Sequence, residues 1–138
     1  MGIKVNITSD IRKRVDYVSK IYKSKQNRWV DNTGSYFRNQ IALGMTTSPA
    51  TGNVYREGTA KDHIASSVGN PPRVDTGVLR TSIQYKRTRQ GEGIVSTKVE
   101  YSERLEKNLK RYFMGKRSNA YRNTKIYGKM VAKQLGLK

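Results

Sequence analysis

The sequence predicts an α+β fold in which long N-terminal and C-terminal helices pack on a small antiparallel sheet, with a long extended loop or arm between them. Three observations predict it. Apolar residues recur at helical spacing near the N-terminus, at Ile11, Val15, Val18 and Tyr22. Apolar and polar residues alternate over 79–85 and again over 94–101. Helical spacing returns at Tyr127, Val131 and Leu135. At 138 residues the chain fits a single domain, 1–138, with a modest core.

The elements follow in order. Ile3, Val5 and Ile7 alternate with polar residues and suggest a short strand. Thr8, Ser9 and Asp10 are candidate N-caps for a helix whose apolar stripe runs from Ile11 to Tyr22 and on to Trp29, with Lys and Arg on the other face. That pattern reads as an amphipathic core helix with a solvated basic side. Asn32-Thr33-Gly34 interrupts it. A second helical segment follows from Tyr36 to about Leu43, with Phe37 and Ile41 on one side, and ends at Gly44.

Residues 46–77 are rich in small and turn-forming types but contain Val54, Tyr55, His63 and Ile64. Loops this long are uncommon in compact domains and are usually functional or disordered. The segment reads as an arm or hairpin that needs a partner surface to become fully ordered. Pro71 and Pro72 fix φ and hold Asn70 extended. Asp75 suits an Asx-type turn, and Gly77 suits a conformation that a Cβ would oppose. This corner aims the chain into a β-hairpin, residues 78–101. Leu79, Thr81, Ile83 and Tyr85 lie on one face of its first strand, Arg89–Gly93 form the turn, and Val95, Thr97, Val99 and Tyr101 lie on one face of the return strand. A short helix over 102–108 and a final helix over 121–135, capped by Gly136, complete the chain.

Charge narrows the possible partners. The formal net charge is +18, and the 28 Lys and Arg are distributed as 8 in residues 1–30, 9 in 31–100 and 11 in 101–138. Both ends are strongly basic. Such an excess favours nucleic acid or acidic protein surfaces. There is no cysteine, hence no disulfide or thiolate metal site. The N-terminal stretch lacks the apolar core of a secretory signal, and no run reaches the ~20 apolar residues that span a bilayer. The chain therefore reads as soluble and intracellular while it is being made.

Little in the sequence points to catalysis. His63 is the single histidine, and it reads as a structural hydrogen-bonding group. No cluster has metal-ligand spacing, and no cofactor is expected. Asp75-Thr76-Gly77 matches the loop triplet of aspartic proteases, but that chemistry needs two carboxylates sharing one site. Gly91-Glu92-Gly93 is too short for a phosphate-binding loop.

Three segments in fixed order carry a resemblance: TGNVYREG, HIASSVGNPPRVDTGVLRTSI and VEYSERLE. Together they resemble the head–tail joining, or tail-completion, family of tailed bacteriophages. Gly52 and Tyr55 match its first element. His63, Ala65, Ser66, Gly69, Pro72, Asp75, Thr76, Gly77, Leu79, Ser82 and Ile83 match the second. Tyr101, Leu105 and Glu106 match the third, and Arg111, Phe113 and Met114 loosely match the fourth. The similarity covers roughly residues 51–135. Tyr112 stands where a proline is usual, and Lys107 stands where an aromatic-glycine pair is common.

The resemblance implies a structural virion protein, not an enzyme. It implies a ring of identical subunits in the phage neck, between portal-proximal connector proteins and the tail terminator or tube. On this reading Tyr55, His63, Pro72, Asp75, Thr76 and Gly77 are interface candidates. Arg111, Lys116, Arg117 and Arg122 are candidates for contact with acidic neighbours or with genomic DNA in the channel. The protein would reside in the virion neck, and in the host cytoplasm during assembly, without a membrane. The alternative is a basic nucleic-acid-binding module, since Arg111-Tyr112-Phe113 and Tyr121-Arg122 interleave stacking and cationic side chains.

Overall fold

The computed structural model describes residues 7–55 and 62–137. Among them, helix α1 spans Ile7–Thr47, β1 Val54–Tyr55, β2 His63–Ile64, α2 Val78–Ser82, β3 Gln84–Arg89, β4 Glu92–Ser96 and α3 Asn119–Gln134, with a π-helical turn at Arg104–Asn108 before α3. The α+β class holds, but the strands form two separate antiparallel pairs, β1–β2 and β3–β4, rather than one sheet.

Helix α1 runs unbroken for 41 residues, about 60 Å at the α-helical rise. The strand expected at Ile3, Val5 and Ile7 falls largely outside the described residues, and Ile7 itself opens the helix. The expected N-caps at 8–10 are therefore inside α1, and its end lies at Thr47, past Gly44. The predicted interruption at Asn32-Thr33-Gly34 does not occur. Gly34 serves packing instead: a Cβ there would overlap the Tyr85 ring of β3. Gly93 on β4 faces the same ring, where a Cβ would come within 2.6 Å of it. Two glycines thus make a slot for one aromatic side chain.

α3 packs antiparallel to α1. Gln40 meets Asn123, Tyr36 stacks on Tyr127 with ring centroids 4.0 Å apart, and Trp29 Nε1 donates to the Gly128 carbonyl at 2.7 Å. Gly128 brings the helices close, since a Cβ there would sit 3.3 Å from Thr33. Ser118 caps the start of α3 by accepting from the Tyr121 N–H. At the other end Gly136 adopts φ 71, with the Gly136 and Leu137 N–H groups bonded to Lys133 and Ala132.

The core gathers Ile41 and Met45 of α1, Leu79 and Ile83, Phe113 and Ala120. Each of the larger side chains contributes about 1.5–3 kcal/mol by burial. Leu79 belongs to a helical turn, not to the strand predicted over 79–85. Its spacing of four from Ile83 satisfies both an alternating strand and a helix. The choice falls to Gly77, whose carbonyl accepts the Thr81 N–H at 2.9 Å. β3 begins only at Gln84 and pairs Tyr85 with Val95. The hairpin turn is tighter than predicted, with only Gln90 and Gly91 between paired Arg89 and Glu92, and β4 ends at Ser96 rather than near Tyr101. The helix expected over 102–108 is the π turn.

Of the two forms expected for 46–77 the hairpin holds, but its described flanks order without a partner surface. Both of its flanks are seated on the chain's own body. The Gly52 and Ala65 N–H groups bond across to Ala65 and Asn53 carbonyls at 2.8 and 2.9 Å, and β1 pairs with β2. Ala65, Ser66 and Pro72 are buried. Ser48 Oγ donates to the Pro71 carbonyl, tying the end of α1 to the proline pair. Residues 56–61, between β1 and β2 in sequence, lie outside the described residues.

The stripe at Ile11, Val15, Val18 and Tyr22 faces no core: these side chains are 55–63% exposed. The hairpin tip reaches α1 at Lys23, Gln26 and Asn27, all bonded by Gln90. Beyond that point the described residues supply nothing to cover the stripe.

Candidate interface at the Asp75–Gly77 corner

The corner is built from backbone constraints upward. Gly77 adopts φ 85, in the left-handed region, and opens α2. Space beside it is open, so the requirement for glycine is conformational rather than steric. Thr81 Oγ1 and its N–H both donate to the Gly77 carbonyl at 2.9 Å. Thr76 Oγ1 accepts a long 3.5 Å hydrogen bond from the Val78 N–H. Pro72 packs inside, and Arg73 reaches back to the Ile64 carbonyl at 3.0 Å, locking the corner to β2.

His63 Nδ1 lies 3.8 Å from Asp75 Oδ1, an electrostatic contact longer than a hydrogen bond. The imidazole is mostly buried and the carboxylate is at the surface. Tyr55 pairs with His63 across β1–β2 and leaves its ring exposed.

These groups surround a cleft of about 270 Å³. Its floor is apolar, from Met45, Ala65 and Leu79, and its mouth carries the exposed side chains of Val78 and Tyr101. Tyr55, His63, Pro72, Asp75, Thr76, Gly77 and Arg111 all line it. Seven of the ten residues singled out by sequence thus meet at one place. Arg111 is half-buried there. Arg80, a lining residue not anticipated, donates to Thr46 Oγ1 at 3.2 Å.

The other basic candidates lie elsewhere. Lys116 and Arg117 border a shallow hollow with Glu106 and Tyr112. Arg117 donates to the Tyr112 hydroxyl at 2.9 Å and sits 5.5 Å from that ring's centroid. Arg122 donates to Asn119 Oδ1 and to the Arg117 carbonyl. Both arginines are exposed and hydrogen-bonded at the surface near the start of α3, whereas Arg111 lines the corner cleft.

Glu106 has a role the residue pattern did not reveal. Its carboxylate accepts the backbone N–H groups of Phe113, Met114 and Gly115 at 2.8, 3.2 and 2.8 Å. It thereby positions buried Phe113 and the segment leading to α3. The only signal in the sequence was its place in the Leu105-Glu106 pair.

An apolar floor with a rim of mixed charge suits recognition of a protein side chain or a short chain segment. Among the described residues, no group of three or more His, Asp or Glu could hold a metal ion, and no helix is long and apolar enough to cross a membrane. No family model, curated protein or solved structure matches the chain.

Proposed function

We propose that the chain is a structural subunit of a tailed-phage neck that joins head to tail as a homo-oligomeric ring. One observation carries this reading. The residues that resemble the tail-completion family, from Tyr55 through Gly77 to Tyr101 and Leu105, converge on one surface cleft. They are separated in sequence, and although Ala65, Pro72 and Leu79 among them are buried, those at the mouth of the cleft are not. Tyr55 and Tyr101 are each about half exposed, as is Val78 beside Gly77. The exposed Val78 and Tyr101 side chains at its mouth suit a neighbouring subunit, which would add burial that this small core lacks.

The charge supports a second reading as a nucleic-acid-binding module. The hydrogen bonds that Arg117 and Arg122 make at the surface to Tyr112 and Asn119 compete with use of the tyrosine–arginine pairs as its stacking sites.

Light scattering of the purified chain at moderate salt, with and without DNA, separates the two. Rings that persist in salt without DNA support the neck reading. A monomer with DNA affinity that falls steeply as salt rises supports the module. Imaging of the virion neck with this chain in place is the direct test. Particles whose necks lack it would overturn the proposal.

A further inference from the structure

We propose that residues 11–22 of α1 are the docking face for an acidic amphipathic helix of a different protein. The inference stands on α1 and its charges and does not depend on the ring.

The first argument is continuity. Trp29, Tyr36 and Gln40 lie on the same line of α1 as Ile11, Val15, Val18 and Tyr22, by the 3.6-residue turn. α3 covers the C-terminal part of that line through the Gly128, Tyr127 and Asn123 contacts. α3 then ends, with Gly136 beside Lys25. Past Lys25 the seam continues and its helical partner stops.

The second argument is spacing and composition. Ile11, Val15, Val18 and Tyr22 are spaced four, three and four apart, the a/d pattern of a coiled-coil seam, with exposed Tyr17 and Ile21 on one flank. A helix lying in a bilayer interface usually presents Trp, Phe or Leu on its apolar face. Residues 11–28 contain none of these.

Charge then selects the partner. Residues 11–25 hold six Lys or Arg and one Asp. Helical geometry puts Arg14 and Lys25 on one flank of the seam and Arg12 on the other. A second copy would oppose cation to cation. α3, the chain's other long helix, carries Arg122, Lys125, Lys129 and Lys133 without a carboxylate. A helix with Glu or Asp flanking an apolar seam is complementary at each of these positions.

The test uses the full chain and the double variant Val15→Asp/Val18→Asp. Both positions are exposed, so the fold should survive, as circular dichroism and Trp29 fluorescence will show. The probes are a synthetic heptad peptide with Glu flanking its seam, the same peptide with Lys there, and anionic phosphatidylglycerol vesicles. The expected result is binding of the Glu peptide to the wild type, with roughly tenfold or greater loss for the Lys peptide and for the variant. Absent binding of the Glu peptide, or equal binding to the variant, overturns the proposal. Self-association of the chain alone that the variant abolishes would assign the face to a second copy. Vesicle binding that the variant abolishes would assign it to a bilayer. Either result overturns the acidic-helix assignment.

Discussion

The Tyr85 hydroxyl donates a 2.8 Å hydrogen bond to Asp31, across 54 residues of sequence, while its ring fills the slot left by Gly34 and Gly93. This contact joins the hairpin to the middle of α1. Arg87, 3.4 Å from the other Asp31 oxygen, completes the cluster.

Gly34→Ala tests the slot. In an exposed helix interior this change gains about 1 kcal/mol. Here the added methyl meets a ring that cannot swing away, because Asp31 holds its hydroxyl and Gly93 backs it. The expected outcome is a loss of about 1–3 kcal/mol in urea unfolding. A more stable variant would refute the packing role assigned to Gly34.

The same tyrosine gives a pH signature. Burial, then the hydrogen bond and charge of Asp31, push its pKa up to about 12, against a smaller opposing effect of Arg87. A phenol with a raised pKa stabilises the fold fully below its unfolded value near 10, and that stability is lost as pH rises through 12. Solvent screening at this partly exposed site keeps the loss below the ~3 kcal/mol that the full shift would carry. The stability advantage of wild type over Tyr85→Phe should therefore shrink between pH 10 and 12. A difference that stays constant over that range would count against the Asp31 contact.

Gly77→Val forces a β-branched residue into a left-handed backbone and should cost about 1–3 kcal/mol. Gly77→Asn should cost less, because Asn tolerates that region. Thermal unfolding ranks the variants, and light scattering reports any accompanying loss of oligomer. Equal melting temperatures for all three proteins would show that the corner does not need its φ of 85.

Glu106→Ala removes the acceptor of three backbone N–H groups. With Phe113 buried beside it, the expected loss is about 2 kcal/mol or more, and Glu106→Gln, which keeps one acceptor oxygen, should lose less. Hydrogen exchange at residues 113–115 is the local readout. Unchanged protection there in the Ala variant would contradict the assignment.

Replacing residues 53–68 with a short flexible linker tests the arm. An arm belonging wholly to a neighbour would leave the body's stability intact. Because Ala65 and Ser66 are buried and Gly52 bonds to Ala65, the replacement should lower the unfolding midpoint measurably. An unchanged midpoint would restore the free-arm reading.

What was legible in the sequence was local. The Tyr127–Val131–Leu135 spacing predicted α3, Gly136 its cap, and the Tyr85 and Val95 alternations the hairpin. At Gly77 the left-handed backbone was legible, but the helical turn that it opens was not. The site was legible only as residue types in order. Their convergence on one cleft depends on β1–β2 pairing and the fold-back of 62–77, which no short window encodes.

The sequence by itself determined the α+β class, the helical ends, the left-handed corner and the basic charge, because these follow from periodicity, φ restriction and composition acting within a few residues. The tertiary structure alone decided that α1 passes straight through Gly34, that Leu79 enters a helical turn, that the arm lies on its own body, and that half of the α1 stripe is bare. Each of those outcomes depends on which distant surface a segment meets, and a glycine, an alternating run or an apolar stripe has the same local preferences whether or not that surface is there.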